Sequence, residues 1–454
     1  MMWKKYCTTA FATATMLAGT QIVASELKKT ETTDEKIFAE TIKNVDTGGK
    51  MLQYYNTQQL GNQIRQMVAL LKNIAKMDPT TNSSPMLQIK MQIAFQVLDE
   101  LIEASGVECF KSYAVSEKLA EDGMYITKTF AYTDNDPQGL IFKIAEKNRP
   151  FNKLKNIPKS SNLAIGAQVD AFNIYQAIKA EAKKNADKDI AAMPMKLENE
   201  FYQNTGKYLI DILKSASGEY QLIVKVKFVE KQPTAQVVFR IPNNNNFLGE
   251  FLETNLDMAM KSNKAIYKEK DHHYKLIKDA TMPDWLNPRL VITKDEIVFT
   301  TDTAFLAECM NNKDTEYAQK IIDGLNIDKQ DGGLSYVIAH FDKKVLNDVK
   351  ALLPPQITQM FNAELDKFSE LKFYSLDYRL KNGFKSVVKC NYELGQFQSY
   401  AAMQLPIMAG VLLPALNAAQ MKAMQINQAA QMKMQNGNDF KIKFTPIPVE
   451  KKAK

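Results

Sequence analysis

Four stretches that alternate apolar and polar residues, each interrupted by a short polar turn, constrain the fold of this 454-residue chain most strongly. Such alternation is typical of half-buried β-strands, and the Asp-Gly and Asn-Gly steps at two of the turns suit the backbone angles of a hairpin. The predicted hairpins are 112–119 with 124–132, 220–228 with 235–241, 289–293 with 297–301, and 373–380 with 384–390. The sequence therefore predicts mostly antiparallel sheet structure.

Two other segments predict a strand that runs directly into a helix. Residues 163–170 lead into a helix over 171–184, and residues 334–342 lead into a helix over 343–353. Each strand ends in an aspartate, Asp170 or Asp342, where a carboxylate can accept hydrogen bonds from the free N–H groups of the first helical turn. The two aspartates could also form an acid–base pair, but capping is a sufficient role for each.

The order of these elements repeats along the chain. Hairpin, helix, strand-Asp-helix, second helix and hairpin occur in residues 107–241 and again in 273–394, with 242–272 as a connector. A repeated order of this kind predicts an internal duplication, which rests on the element order rather than on residue identity.

The region before the first hairpin, residues 26–106, is predicted to be a helical hairpin. Apolar residues recur at helical spacing over 60–74, Pro85 suits the first turn of a second helix, and Gly106 suits its end. The predicted fold class is therefore α+β: an N-terminal helical hairpin, two related hairpin/strand-helix units with mostly antiparallel sheets, and a long apolar C-terminal helix.

The net charge of +7 is concentrated at the two ends of the chain, because residues 26–421 carry 49 basic and 49 acidic side chains. Only five of the 58 basic residues are arginine. A body without excess positive charge and poor in arginine argues against nucleic-acid binding.

The first 25 residues have the features of an export signal. Lys4 and Lys5 are followed by an uncharged stretch that ends in small residues at 23–25. An uncleaved membrane anchor is the alternative. The sequence therefore predicts an exported protein of the periplasm or cell envelope.

The C-terminal region contains 28 consecutive residues without a charge, 394–421. We predict an apolar, Gln- and Met-rich helix over 395–435 and a basic tail over 436–454. The run is long enough to span a bilayer, but Pro406 and Pro414 make it only moderately apolar. The alternative is a helix that docks on the protein body, or that binds a membrane surface or partner protein through 400–435.

The motifs of common enzyme classes are absent from the sequence. It contains no phosphate-binding loop, no Gly-x-Ser-x-Gly elbow and no His-Glu-x-x-His helix. His272 and His273 would point to opposite faces of an extended chain and could not bind one metal ion, and His340 is interpreted as a satisfied core residue. We predict no catalytic, cofactor-binding or metal-binding residue and no cofactor.

Three cysteines remain after the signal segment, namely Cys109, Cys309 and Cys390. At most one disulfide can form among them in an oxidising compartment. The preferred interpretation is that they are small buried apolar residues.

Two resemblances bear on function. The layout of 107–394 resembles that of uncharacterised secreted bacterial proteins of a domain-of-unknown-function family with repeated α/β units. Leu412–Ala423 resembles the Leu-Leu-Pro-Ala-Leu-x-x-Ala stretch in the helix of type-IV-pilin-like proteins, which implies a helix suited to packing against helices or lipid. The expected function is a non-catalytic, exported binding or structural protein of the cell envelope. An exported hydrolase with a site assembled from scattered residues and a pilin-like assembly subunit are the alternatives.

Overall fold

One antiparallel sheet organises the part of the protein that the computed structural model describes. The structure describes residues 33–58, isolated positions between 62 and 105, and 106–133, 136–184, 188–229, 232–262, 266–270, 272–276, 287–350 and 369–394. The 13 strands are β1 (Met51–Asn56), β2 (Phe110–Leu119), β3 (Tyr125–Thr133), β4 (Leu163–Val169), β5 (Gly218–Val229), β6 (Gln232–Pro242), β7 (Ile266–Lys270), β8 (His273–Leu276), β9 (Arg289–Ile292), β10 (Glu296–Thr300), β11 (Ser335–Asp342), β12 (Glu370–Leu380) and β13 (Gly383–Cys390).

Helices of five to 18 residues lie between the strands or before the first one. They are α1 (Thr33–Ile42), α2 (Leu140–Ile144), α3 (Ala171–Ala182), α4 (Lys188–Thr205), α5 (Leu209–Ser215), α6 (Phe247–Ser262), α7 (Thr303–Met310), α8 (Tyr317–Leu325) and α9 (Lys343–Lys350).

The strand order is nearly symmetric about its centre. It runs β1-β2-β3-β13-β12-β11-β4-β5-β6-β10-β9-β8-β7, so that β11-β12-β13 on one side of the centre corresponds to β4-β5-β6 on the other. The hairpin β2–β3 then pairs with β13, and the hairpin β9–β10 pairs with β6. The first hairpin of the unit 107–241 therefore pairs with the last hairpin of the unit 273–394. In the same way, the first hairpin of 273–394 pairs with the last hairpin of 107–241. A duplication with exchanged hairpins would give this order, and the duplication itself stays a prediction.

The predicted fold class is wrong, because the two regions share one 13-stranded sheet instead of forming separate sheets. The reason is that a hairpin leaves the outer edge of each strand open, and local alternation does not specify which strand will fill that edge. Here the open edges of β6 and β13 are filled by hairpins that lie far away in the sequence.

The predicted long apolar C-terminal helix is not one of the helices that the structure describes. The segment 395–435 lies outside the described residues, as do the signal segment 1–25 and the basic tail 436–454. Among the helices that the structure does describe, none combines the length and apolar character needed to span a bilayer.

The local elements agree with the sequence pattern. The predicted hairpins correspond to the pairs β2–β3, β5–β6, β9–β10 and β12–β13. Asp170 accepts a hydrogen bond from the Asn173 N–H at 2.9 Å, and Asp342 accepts one from the Val345 N–H at 2.8 Å. Both aspartates therefore cap the helices that follow them, as predicted.

The region 26–106 is not helical throughout, because Met51–Asn56 forms β1. Gly48 and Gly49 disfavour a helix at this point, and the adjacent tyrosines Tyr54 and Tyr55 favour a strand. The described positions within 62–73 and 102–105 are helical.

The largest hydrophobic core lies where α7 and α8 cover the central strands. Residues of α8 at helical spacing, Ala318, Ile322 and Leu325, are buried against the sheet. The strands contribute Ala164, Ile223, Val238, Tyr336, Ile338, Leu376, Tyr378 and Val387 to the same cluster.

The central strand pair contains a close contact between a glycine and a tyrosine. Gly166 of β4 lies directly opposite Tyr336 of β11, whose side chain is 0% exposed. The Tyr336 hydroxyl accepts a hydrogen bond from Gln221 Nε2 at 2.9 Å. The Tyr336 ring lies edge-on to the ring of Phe151, with 4.8 Å between the ring centroids. A Cβ atom at position 166 would lie 2.1 Å from Cε1 of the tyrosine, so that only glycine fits there.

We expect the substitution Gly166→Ala to lower the free energy of unfolding by about 1–3 kcal/mol, because the fixed ring cannot move aside. Urea unfolding followed by circular dichroism measures this change. The control is Gly324→Ala in α8, where an added Cβ meets no atom within 4 Å. That variant should be stabilised by up to about 1 kcal/mol, since alanine favours a helix. Equal effects of the two substitutions would contradict the packing argument.

Candidate ligand-binding cavity

A cavity of about 440 Å³ lies between α3 and the segment that contains α2. This volume is within the range that holds small-molecule ligands. The cavity is lined by Asp136, Pro137, Gln138, Gly139, Phe142, Lys143, Glu146, Asn173, Gln176, Ala177, Ala180 and Arg379.

Two local features form the walls of the cavity. The four lining residues of α3 are spaced at i, i+3, i+4 and i+7, so that they share one face of the helix. On the opposite side, Gly139 precedes α2 with a φ of 118°, a value that side-chain-bearing residues rarely adopt. A Cβ at Gly139 would lie 2.4 Å from the Cα of Gly106, so that the close crossing of these two backbone segments sets the position of α2.

The start of α3 is held by Asp170. Besides capping the helix, its carboxylate forms an ion pair with Arg149 at 2.5 Å and accepts a hydrogen bond from Asn173 Nδ2 at 3.0 Å. Burial alone would raise the pKa of Asp170, but the Asn173 N–H bond and the Arg149 guanidinium outweigh it and hold the pKa below its usual value. Asp170 therefore acts as a positioning residue for the α3 wall.

We expect Asp170→Ala to lower the free energy of unfolding by about 1–2 kcal/mol at neutral pH, because the cap and the ion pair are lost together. Since the pKa is lower in the folded state, this contribution is present above the unfolded-state pKa and disappears as the pH falls through the folded-state value. Urea unfolding at pH 7 and pH 3 should show the difference from wild type shrinking at the lower pH. Asp342→Ala, which removes an exposed cap, should cost less, and a pH-independent loss at Asp170 would contradict the argument.

Arg379 is the lining residue with the most unusual environment. Its guanidinium lies over the rings of Phe142 and Phe384, at 5.7 and 5.4 Å from their centroids. Nη1 donates to the carbonyl oxygens of Phe142 at 3.0 Å and Ala145 at 2.8 Å. Burial lowers the pKa of Arg379, and the nearby Glu146 carboxylate partly offsets this effect. Such a half-buried guanidinium remains charged, since arginine titrates far above neutral pH.

Within the described part of the chain, Arg379 forms no ion pair, and Nη1 is the one guanidinium nitrogen with a protein acceptor. The other four arginines pair with carboxylates, as the contacts of Arg65, Arg149, Arg240 and Arg289 show. The remaining N–H groups of the Arg379 fork are therefore available to an acceptor in the cavity.

The cavity also carries charges of the opposite sign. The carboxylates of Asp136 and Glu146 are exposed and make no ion pair within 4.0 Å among the described residues. Lys143 reaches Glu181 only at 3.9 Å. The lining thus combines a half-buried guanidinium with exposed carboxylates, and the amide of Gln176 adds a neutral donor and acceptor.

The two aspartates considered as an acid–base pair do not come together. Strands β4 and β11 are antiparallel, with Ala167 opposite Ser335 and Leu163 opposite Ala339. Asp170 therefore follows one end of this pair, and Asp342 lies at the other end. The structure gives each of them a helix to cap and no shared site.

Two of the three histidines lie next to a carboxylate, and the third begins a strand. His272 Nδ1 lies 2.5 Å from Glu253, and His273 begins β8. His340 Nε2 lies 3.0 Å from Glu370, but its side chain is half-buried, so the interpretation as a core residue is wrong. Among the residues that the structure describes, no group of three or more His, Cys, Asp or Glu could hold a metal ion.

The three cysteines are free thiols. Cys309 and Cys390 are buried, and burial raises the pKa of Cys309 to about 12 and that of Cys390 to about 11. These two are therefore unreactive core residues, as predicted, whereas Cys109 is half-buried.

A second charged cluster, which we call the Glu296 network, is built around the buried Arg240, with Lys153 and Glu296 partly exposed. Glu296 accepts hydrogen bonds from Lys153 Nζ at 2.8 Å and from Arg240 Nη1 at 3.3 Å, and the Arg240 side chain is 1% exposed. Nearby, Glu219 accepts a bond from the Lys153 N–H at 3.0 Å, and burial raises the pKa of Glu219. Because one carboxylate of the protein is shared by two of its own cations, we assign the network a structural role.

The cavity residues could not be identified from the sequence, because they come from three segments up to about 240 positions apart. The rarity of arginine in this chain was the one available signal for Arg379. Comparison with family models, with curated proteins and with solved structures finds no match to this chain.

Proposed function

We propose that this protein is an exported, non-catalytic binding protein of the cell envelope, and that the cavity between α2 and α3 takes a small zwitterionic ligand. Amino acids and short peptides are the chemical class with this charge pattern. The observation that carries the proposal is the set of three charges at the cavity that have no ion-pair partner among the described residues, namely those of Arg379, Asp136 and Glu146.

The carboxylate of the ligand would bind the free N–H groups of Arg379. A guanidinium fork matches the two oxygens of a carboxylate, and partial burial strengthens such a charge-assisted hydrogen bond. The stacked rings of Phe142 and Phe384, 5.6 Å apart, hold the fork in place from one side. This preorganisation reduces the entropy that binding would otherwise cost.

The ammonium group of the ligand would lie near Asp136 and Glu146, whose carboxylates are exposed at the same cavity. A purely anionic ligand would pair with Arg379 but would be repelled by the carboxylates of Asp136 and Glu146. A purely cationic ligand would satisfy the acids but would leave Arg379 unpaired. Specificity for a zwitterion follows from this combination of attraction and repulsion.

A binding role fits the composition of the lining better than catalysis does. The lining contains no serine, cysteine or histidine, the residues that most often act as nucleophile or general base. The export signal predicted over residues 1–25 supports a location outside the cytoplasm, where small zwitterions are captured from the surroundings.

Ligand-observed NMR with the full chain tests the proposal. The probes are a panel of free amino acids and dipeptides, together with N-acetylalanine, which lacks the ammonium group, and alaninamide, which lacks the carboxylate. We expect at least one zwitterion to bind about tenfold more tightly than either single-charge compound. If no zwitterion in the panel binds, or if alaninamide binds as tightly as the best of them, the proposal is wrong.

A further inference from the structure

The two edges of the 13-stranded sheet differ in how they are protected. The edge strand β7 has the sequence Ile-Tyr-Lys-Glu-Lys, and charged residues of this kind discourage edge-to-edge association. The opposite edge strand, β1, reads Met-Leu-Gln-Tyr-Tyr-Asn and contains neither a charge nor a proline. By sequence, β1 is the edge that is open to pairing.

The register of β1 shows which of its backbone groups face outward. The Thr57 N–H donates to the carbonyl oxygen of Lys111 in β2 at 3.0 Å. In a strand the backbone groups of every second residue face the same neighbouring strand, so every second residue of β1, counted back from Thr57, also faces β2. The N–H and C=O groups of Leu52, Tyr54 and Asn56 therefore point away from β2. Among the described residues these groups have no backbone partner.

Exposed apolar side chains lie beside this open edge. Leu52 is 43% exposed and Phe38 of α1 is 46% exposed. The Phe38 ring contacts Tyr54 edge-on, with 4.9 Å between the ring centroids. An added strand would therefore cover apolar surface in addition to satisfying backbone hydrogen bonds.

The charges at the two ends of β1 favour a second copy of the same strand. Lys50, paired with Glu393 at 2.5 Å, lies just before β1. Asp34 lies at the other end, where its carboxylate accepts a hydrogen bond from Gln58 Nε2 at 3.0 Å. In an antiparallel pair of β1 strands, the lysine end of each copy meets the aspartate end of the other.

We propose that β1 pairs with β1 of a second copy of this chain, antiparallel and centred on Tyr54. Tyr54 then exchanges backbone hydrogen bonds with Tyr54 of the other copy, and Leu52 does so with Asn56. These are the residues whose backbone groups face outward, so that the register uses all of them. Because the contact is limited to one strand and the side chains beside it, the dimer is a weak one.

Sedimentation equilibrium of the full chain over a range of micromolar concentrations tests this proposal. We expect a concentration-dependent monomer–dimer equilibrium that Leu52→Lys weakens at least about tenfold in Kd, because two lysines then enter the strand pair. Asn56→Pro should act in the same direction, since it removes an outward N–H at a site where an edge strand tolerates proline.

Leu119→Lys is the matched control, because Leu119 is similarly exposed, at 52%, but lies at the end of the interior strand β2. Its Kd should stay within about twofold of wild type. A wild-type chain that remains monomeric at all concentrations overturns the proposal, as does a dimer that Leu52→Lys and Leu119→Lys weaken equally. Neither result bears on ligand binding in the cavity.

Discussion

Replacing Glu296 by glutamine is expected to lower the free energy of unfolding by about 3 kcal/mol, because it removes the carboxylate that pairs with the buried guanidinium of Arg240. Glu296 is the carboxylate that Lys153 and Arg240 share, at 2.8 and 3.3 Å. Glutamine has nearly the same shape but no charge, so that the buried Arg240 and the partly exposed Lys153 would lose the anion between them. Urea unfolding followed by circular dichroism measures the change.

The control for this prediction is Glu316→Gln. Glu316 pairs with Lys320 at 2.7 Å, but both side chains are largely exposed. Solvent screens such a pair, and we expect a change of no more than about 0.5 kcal/mol. If Glu296→Gln costs no more than Glu316→Gln, the Glu296 network does not stabilise the sheet core.

The second large effect is expected at Arg379. Arg379→Gln should weaken binding of the best zwitterion by about 30-fold or more, because a charged hydrogen-bonding partner of the ligand carboxylate is removed. Arg379→Lys should recover part of the affinity, since lysine keeps the charge but not the planar fork. Isothermal titration calorimetry gives the dissociation constants of both variants.

Arg379 also holds the carbonyl groups of Phe142 and Ala145, so its loss could loosen α2. Lys381→Gln serves as the matched control, because Lys381 is exposed two positions away and does not line the cavity. Its affinity should stay within about twofold of wild type. An Arg379→Lys variant that binds no better than Arg379→Gln, or an Arg379→Gln variant that binds like wild type, would contradict the role given to the guanidinium.

The local parts of the fold could be predicted because short segments determine them. Alternation of side chains and a short polar turn specify a hairpin such as β12–β13, whose turn residues are Lys381 and Asn382. An aspartate after an apolar strand specifies a helix start, as at Asp170. Both signals act within about a dozen residues and therefore survive in any tertiary context.

The order of strands in the sheet could not be predicted in the same way. Pairing of β3 with β13 joins residues such as Phe130 and Lys385, which lie about 250 positions apart. No local pattern records such a partner, because an open strand edge accepts any strand of compatible register. The need for glycine at position 166 could not be predicted either, because it arises from the contact with Tyr336 and not from the local sequence.

The candidate site was the least predictable part. Phe142, Asn173 and Arg379 are ordinary residues in their own segments, and they gain a shared role only because the sheet brings β12 beside the α2 and α3 segments. A cavity whose lining residues come from separate segments leaves no spacing signature of the kind that metal or nucleotide sites leave.

The most direct test of the account is a crystal structure of the full chain with the zwitterion that binds most tightly. We expect the ligand between α2 and α3, with its carboxylate within hydrogen-bond distance of Arg379 and its ammonium group facing Asp136 or Glu146. A ligand bound elsewhere while this cavity stays empty, or one whose ammonium group faces Arg379, would contradict it.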